Sequence, residues 1–197
     1  MSKAERTRQF IIEKTATLFN SQGYAVTSLS DITALTGLTK GSIYGNFSNK
    51  DEVVTEVFKY NASKLLKEID AAIVEKQSPY EQLLAIVNFY RTIGQKPFIV
   101  GGCPLINAAT EADDNLAFLQ PAVQASFLFW HKKVVDILKR GEVSQHFKAG
   151  LDAEMYSSTF IILIEGGILL SRSLKQSVQL DIALDRILKI IEDEIRI

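Results

Sequence analysis

Residues 27–50 read TSLSDITALTGLTKGSIYGNFSNK, and this stretch decides the fold of the N-terminal part of the chain. It opens with hydroxyl side chains that can cap a helix and runs to Gly37, which permits a tight turn. Thr39 can then cap a second short helix, predicted from about Lys40 to Asn46. Two short helices joined by a turn that contains glycine have the outline of a helix-turn-helix. The apolar positions that can hold the pair together are Leu29, Ile32, Leu35, Leu38, Ile43 and Phe47.

The polar residues of this stretch are left on the outside of the predicted helix pair. The second helix is therefore available to enter the major groove of DNA, roughly 12 Å wide, with short side chains aimed at phosphates and base edges. Gly41 would allow a close approach of the backbone. The side chains predicted to contact DNA from this helix belong to Thr39, Lys40, Ser42 and Asn46.

Helical periodicity continues along almost the whole chain, which contains only four prolines. A first helix is predicted to begin in a capping box of Ser2 and Glu5 and to end at Gly23. Further helices are predicted at about 50–76, 79–92, 105–111, 120–140 (ended by Gly141), 152–176 and 180–195. We therefore expect an all-α protein of about nine helices, with a three-helix head at 1–48 and a larger helical domain at 49–197, linked by helix 50–76.

Charge and composition narrow the class of protein. The net charge is −1, but residues 1–50 carry six basic and three acidic side chains, so the head is +3 and the remainder −4. A sequence-independent architectural DNA-binding protein would need many more clustered cations. The single cysteine excludes an internal disulfide, and the N-terminus lacks the apolar segment of a signal peptide. The most apolar run, 160–170, is too short for the roughly 20 residues of a membrane span. We expect a cytoplasmic protein with no membrane contact.

Residues 40–53 read KGSIYGNFSNKDEV, which resembles the end of the DNA-binding head in the tetracycline-repressor (TetR) family. The resemblance includes the preceding Gly23, Tyr24, Thr27 and residues 31–32, and covers about the first 55 residues. It implies that Thr27 and Ser28 touch phosphate, that Thr39, Lys40, Gly41 and Ser42 meet the groove, and that Tyr44 and Lys50 hold the DNA backbone. Gly45 and Asn46 replace a bulkier pair common in the family, so base reading at that edge can differ.

The resemblance also implies a ligand-binding and dimerisation domain after the head. In this family the last two long helices of each subunit form a four-helix interface, and helices 152–176 and 180–195 are the most apolar here. Gly166, Gly167 and Ser171 offer small side chains at which another helix could approach. The resemblance therefore implies a homodimer that binds a double-stranded operator. The alternative is that these apolar stripes pack only within one chain.

The residues predicted to bind a small-molecule effector of unknown identity are mostly aromatic. Taken singly, each aromatic residue is better explained as an ordinary core residue, because aromatic residues at helical spacing usually are. Asn107, His131 and Glu165 are polar groups that could orient a ligand. No cofactor is expected, and no clustered metal-ligand spacing occurs. The candidates for contact with the ligand are Phe89, Tyr90, Phe98, Cys103, Asn107, Phe127, Trp130, Tyr156 and Phe160.

Cys103 leaves two interpretations open. The run from Gly102 to Glu111 resembles one subgroup of the family in which some members sense electrophiles or oxidants through this cysteine. If Cys103 caps the short helix that follows, the positive helix end would favour its thiolate. The alternative is a small buried residue in a tight turn, and no basic residue lies within five positions of it.

An enzyme is the rival from another class, with Cys103 as nucleophile and His131 or His146 as base. The sequence has no local pattern for a positioned base, an oxyanion site or a phosphate-binding loop. We therefore expect a non-enzymatic transcriptional regulator. Most relatives repress, so the expectation is a repressor released from a palindromic operator by a small molecule, with an electrophile or oxidant as one candidate signal.

Overall fold

The computed structural model describes residues 2–95 and 99–197, and within these residues it contains nine α-helices and no β-strand. A 3-10 turn, Ala117–Leu119, precedes the seventh helix, and the last helix continues as a π-helical turn, Ile191–Ile195. The all-α prediction is confirmed. The helices are α1 Lys3–Gln22, α2 Leu29–Thr36, α3 Lys40–Tyr44, α4 Lys50–Val74, α5 Pro79–Gln95, α6 Pro104–Asp114, α7 Gln120–Val143, α8 Ala153–Leu174 and α9 Val178–Ile190.

The helix starts of the head follow from side chains close by in sequence. Ser2 and Glu5 form a reciprocal capping box at α1, as predicted. Ser28 and Asp31 form a second box at α2, in which each side chain accepts the other residue's backbone N–H. The Thr39 hydroxyl accepts the amide of Ser42 and begins α3. These bonds satisfy amides that the first helical turn otherwise leaves without acceptors.

Three helices extend beyond their predicted ends at about 92, 111 and 140: α5 runs to Gln95, α6 to Asp114 and α7 to Val143. Gly141 does not terminate α7, which continues to Val143. A Cβ placed on Gly141 would lie 1.9 Å from the ring of Phe147, and both residues are buried. Glycine is needed at this position because an aromatic ring packs directly against the helix backbone, while the chain reverses later, at Gln145, which has a positive φ of 57°.

The described chain divides into two compact units. The first comprises residues 2–65 and 99–126, and therefore contains the helix-turn-helix, the first part of α4, and α6. Its core includes Phe19 stacked on Tyr24 at 5.9 Å between ring centroids, with Phe58 edge-on to Tyr24 at 6.2 Å. The division into functional domains at residue 48 remains a prediction.

The second unit comprises residues 66–95 and 127–197. Helices α8 and α9 pack closely, because a Cβ on Gly167 would already lie 3.0 Å from the Cα of Leu180. By length and composition alone α8 could cross a membrane, a test that core helices of soluble proteins also pass. Its inner side is buried, and this includes Phe160, Ile164 and Glu165.

Candidate DNA-binding surface and ligand site

Helix α3 presents polar groups outward and one apolar anchor inward. Ile43 is fully buried and holds the helix against the head. Thr39, Lys40 and Gly41 are exposed, and Tyr44 exposes 47% of its surface. A Cβ on Gly41 would meet only the Thr39 hydroxyl oxygen, at 3.9 Å, so no packing within the described chain requires glycine there. The face of α3 predicted to enter the groove is thus exposed, and at Gly41, the second residue of the helix, no side chain covers the backbone.

The two residues predicted to touch phosphate at the start of α2 are placed differently. Ser28 is partly exposed, and its hydroxyl donates to Asp31 at 2.6 Å while accepting the Asp31 amide at 3.2 Å. The hydrogen bonds from the Ser28 side chain and backbone lower the pKa of Asp31. Thr27 is fully buried, and its hydroxyl donates to the carbonyl of Gly23 at 2.6 Å. The Thr27 side chain therefore braces the turn before α2 and is not presented to solvent.

Asn46 and Lys50, also predicted to contact DNA, make internal hydrogen bonds. The side-chain amide of Asn46 donates to the backbone carbonyl of Ser42 at 2.8 Å, just beyond the C-terminal end of α3. The Lys50 ammonium donates to the carbonyl of Ala25 at 3.0 Å and so joins the start of α4 to the turn between α1 and α2. Both side chains remain partly exposed.

Arg8 is a residue of the head that the sequence analysis did not single out. Its guanidinium donates to the carbonyl of Asn46 at 2.8 Å, pairs with Glu52 at 2.8 Å and lies 4.2 Å above the ring of Phe47. Arg8 thereby fixes the segment that follows α3. The hydroxyl and amide of Ser48, with Arg8, lower the pKa of Glu52 to about 2. These partners of Arg8 lie 38 to 44 residues away along the chain, and no local pattern indicates them.

Of the predicted ligand-binding residues, Cys103 and Asn107 lie in the first unit. Cys103 is the N-cap residue of α6, but it is buried and its side chain makes no capping hydrogen bond. Asn107 donates from its amide to the carbonyls of Gly101, at 2.8 Å, and Asn20, at 3.2 Å. The amide of Asn107 therefore holds neighbouring backbone in this structure.

The predicted aromatic residues of the second unit include a clustered trio. Phe89 and Tyr90 lie edge to face at 5.2 Å, and Tyr90 lies 5.6 Å from Trp130. Trp130 is fully buried, and its indole N–H has no acceptor among the described residues. Phe160 is buried and Tyr156 half-buried, with the Tyr156 hydroxyl 3.3 Å from Glu194.

Three further candidates for ligand contact, Phe127, His131 and Glu165, lie among the described residues. Phe127 is half-buried, and His131 lies with Nε2 3.1 Å from the Ser158 hydroxyl. Glu165 is buried on α8. Phe98 lies outside the described residues. Among the residues that the structure describes, no group of three or more His, Cys, Asp or Glu side chains could hold a metal ion.

Helices α8 and α9 leave a band of apolar side chains exposed. On α8 these are Met155, Ile162 and Leu169, which follow one another at intervals of seven residues and so share a face. Ile162 exposes 69% of its surface. Val178 and Ile182 are exposed on α9. A Cβ on Gly166 would meet nothing within 4 Å, so this position of α8 is open in the same way as Gly41.

Two family models match the chain. The model of the tetR family of bacterial regulatory proteins matches residues 11–57, and that of the tetracyclin repressor-like C-terminal domain matches residues 79–187. A solved TetR-family regulator from Cytophaga hutchinsonii is 38% identical, covers 98% of this chain and 96% of its own, and superposes with a TM-score of 0.91. The chain belongs to the TetR family.

Curated relatives agree at lower coverage. The regulator AcrR of Shigella flexneri is 35% identical over 32% of this chain, and the match spans only 29% of that relative's length. The transcriptional repressor DhaR of a Mycobacterium species is 24% identical over 82% of this chain and 80% of its own length. The chain is thus a transcriptional regulator with a DNA-binding helix-turn-helix, and the prediction of a regulator instead of an enzyme is confirmed.

Proposed function

We propose that this protein is a cytoplasmic transcriptional repressor that binds a palindromic operator as a homodimer and leaves it when a small molecule binds. The observation that carries the proposal is the open face of α3. A glycine that no internal packing requires weakens a helix, since glycine is among the poorest helix formers. Close approach of a DNA strand to Gly41 supplies a reason for it, with Thr39, Lys40, Ser42 and Tyr44 around it to contact phosphates and base edges.

The exposed band on α8 and α9 supports a homodimer. Large apolar side chains spaced by seven residues, with the open Gly166 between two of them, provide a face on which the same pair of helices from a second copy can pack. Two heads related by a twofold axis would then read two half-sites, about 34 to 36 Å apart or more. The sequence of the operator would therefore be a palindrome.

The effector site is proposed within the second unit, around the cluster of Phe89, Tyr90 and Trp130. A buried indole N–H without an acceptor favours a ligand that brings an acceptor atom into an aromatic environment. A ligand that prefers the DNA-free arrangement weakens operator binding by the factor with which the operator weakens ligand binding. The relative named a repressor supports repression as the direction of control.

An electrophile or oxidant remains the more specific candidate signal, acting at Cys103. Burial of the thiol and the absence of a capping bond favour a structural cysteine instead. Cys103→Ser separates the two. A structural role predicts an unchanged response to oxidant, whereas a sensor role predicts that the variant stays on DNA when the wild type is released.

The proposal is tested by selecting bound sequences from a random duplex pool, with and without oxidant or electrophile. An enriched palindrome establishes an operator and its half-site spacing. The matched variant Tyr44→Ala should lose the enrichment while remaining dimeric by sedimentation. Failure of the wild-type protein to enrich any sequence would refute the proposal.

A further inference from the structure

The turn between α1 and α2 is held by a carboxylate from far along the chain. Glu111 on α6 accepts the amide of Tyr24 at 2.9 Å with one oxygen and the amide of Ala25 at 2.7 Å with the other. Both amides belong to residues 23–27, the α1–α2 turn, which leads directly into the N-cap of α2 at Ser28. Within the described residues no Lys, Arg or His forms an ion pair with Glu111. Its carboxylate instead accepts hydrogen bonds from two backbone amides.

The backbone of the turn is shaped to receive this carboxylate. Gly23 has a φ of 112°, and a Cβ there would lie 3.3 Å from Oε1 of Glu111. The Lys50 ammonium also donates a hydrogen bond to the turn, at the carbonyl of Ala25, at 3.0 Å. The turn is thus fixed between an anion that accepts its N–H groups and a cation that donates to its C=O.

The segment before α6 is fastened to the end of α1 in the same region. The Asn20 amide donates to the carbonyls of Val100 and Gly102, at 2.8 and 3.0 Å, and the Asn107 amide donates to the Asn20 carbonyl. A Cβ on Gly101 would lie 2.4 Å from the Asn20 carbonyl oxygen, so the two backbones are in direct contact. With the bond from the Asn107 side-chain amide to Oδ1 of Asn20, at 3.2 Å, six hydrogen bonds join residues 20–25 to residues 100–111.

We infer that Glu111 is a positioning residue for DNA binding: it fixes the α1–α2 turn and, through it, the direction in which α2 and α3 meet the operator. This inference rests on the proposed function. Hydrogen bonds to charged groups are stronger than neutral ones, and a carboxylate provides an acceptor for each of the two amides. Without it the turn populates other conformations, and the apparent affinity falls in proportion to the fraction of protein that stays competent.

The sign of the effect distinguishes positioning from simple electrostatics. Glu111 is an anion in the DNA-binding unit, so removing its charge should tighten DNA binding if repulsion of phosphate were its only influence. Positioning predicts weaker binding. Glu111→Gln keeps one acceptor oxygen and Glu111→Ala keeps none. Asp113→Asn is the matched control, because it removes the same charge from an exposed side chain two residues along α6.

The experiment measures operator affinity and the hydrogen exchange of the Tyr24 and Ala25 amides in the full-length dimer. We expect Glu111→Ala to weaken binding by at least about tenfold, the loss of one charged hydrogen bond, and Glu111→Gln to weaken it less. Asp113→Asn should bind as the wild type or slightly tighter. Both amides should exchange faster in the Glu111 variants, and circular dichroism should report retained helix.

Two results would overturn the inference. One is Glu111→Gln binding as tightly as Asp113→Asn. The other is unchanged exchange at Tyr24 and Ala25 in Glu111→Ala. If the wild type selects no DNA sequence, the proposed function fails, and exchange alone then decides the positioning role. Acceleration that spreads from the turn through α2 and α3 would support it, and acceleration confined to the turn would refute it.

Discussion

Replacing Gly41 by alanine should stabilise the protein and impair its DNA binding at the same time. The substitution adds one methyl group to the second residue of α3. That methyl meets only the Thr39 hydroxyl, at 3.9 Å, and the backbone of Gly41 does not have a positive φ. Within the protein, alanine is therefore accommodated without strain.

The two magnitudes have opposite signs. Alanine is better than glycine in a helix by roughly 0.5–1 kcal/mol, which corresponds to a rise in melting temperature of about 1–4 °C for a chain of this size. At a surface where DNA lies against the backbone, the same methyl overfills the contact and costs about 1–3 kcal/mol. A cost of that size lowers operator affinity by roughly 5- to 150-fold.

The assay pairs thermal unfolding with fluorescence anisotropy on the selected operator, at concentrations where the protein is fully dimeric. Gln124→Ala is the control, because it places alanine at an exposed position of α7, outside the helix-turn-helix and outside the proposed dimer interface. We expect it to leave the operator affinity of the dimer unchanged. A folded Gly41→Ala variant that binds as tightly as the wild type would refute a close approach of DNA at α3.

Three other substitutions test packing and charge. Ile162→Lys should place a charge in the proposed dimer interface and weaken dimerisation, measured by sedimentation, by more than about a hundredfold. Dimerisation as tight as that of the wild type would refute the proposed interface. Gly141→Ala should cost about 1–3 kcal/mol in urea unfolding because its methyl would overlap the Phe147 ring, and a gain in stability would contradict that packing. Glu52 has a pKa of about 2 in the folded state, so its contribution to stability is present above its ordinary pKa and is lost as pH falls towards 2. The difference in unfolding free energy between wild type and Glu52→Gln should shrink between pH 5 and pH 2, and a constant difference would exclude this linkage.

The sequence predicted the helix starts because their causes are local. Ser2 and Ser28 find their partners three residues away, so the pattern of letters already contains both halves of each capping box. Periodic apolar residues predicted the helices themselves for the same reason. The helix end misplaced at Gly141 depends on the Phe147 ring packing against the helix backbone, which a local signal such as a glycine does not reveal.

The candidate DNA-binding surface was predicted by type of residue but not by the direction of each side chain. Thr27 was expected at the phosphate backbone, yet its hydroxyl is turned inward to the Gly23 carbonyl. Lys50 was expected on DNA and is hydrogen-bonded to Ala25. The sequence allows the side chains of Thr27 and Lys50 to point either towards DNA or towards the protein's own backbone. The packing of the neighbouring helices selects between these two orientations.

By itself, then, the sequence predicted the helices and the helix-turn-helix outline, because capping hydrogen bonds and apolar periodicity over three to seven residues specify them. The family was indicated by the resemblance of residues 40–53 and the residues before them. The tertiary structure decided which distant groups meet. Arg8 reaches Asn46 and Glu52, and Glu111 reaches the turn at Tyr24, across 38 to 87 residues of chain. Such pairings depend on how whole helices pack, and a hydrogen bond contributes only after packing has brought its donor and acceptor within about 3 Å.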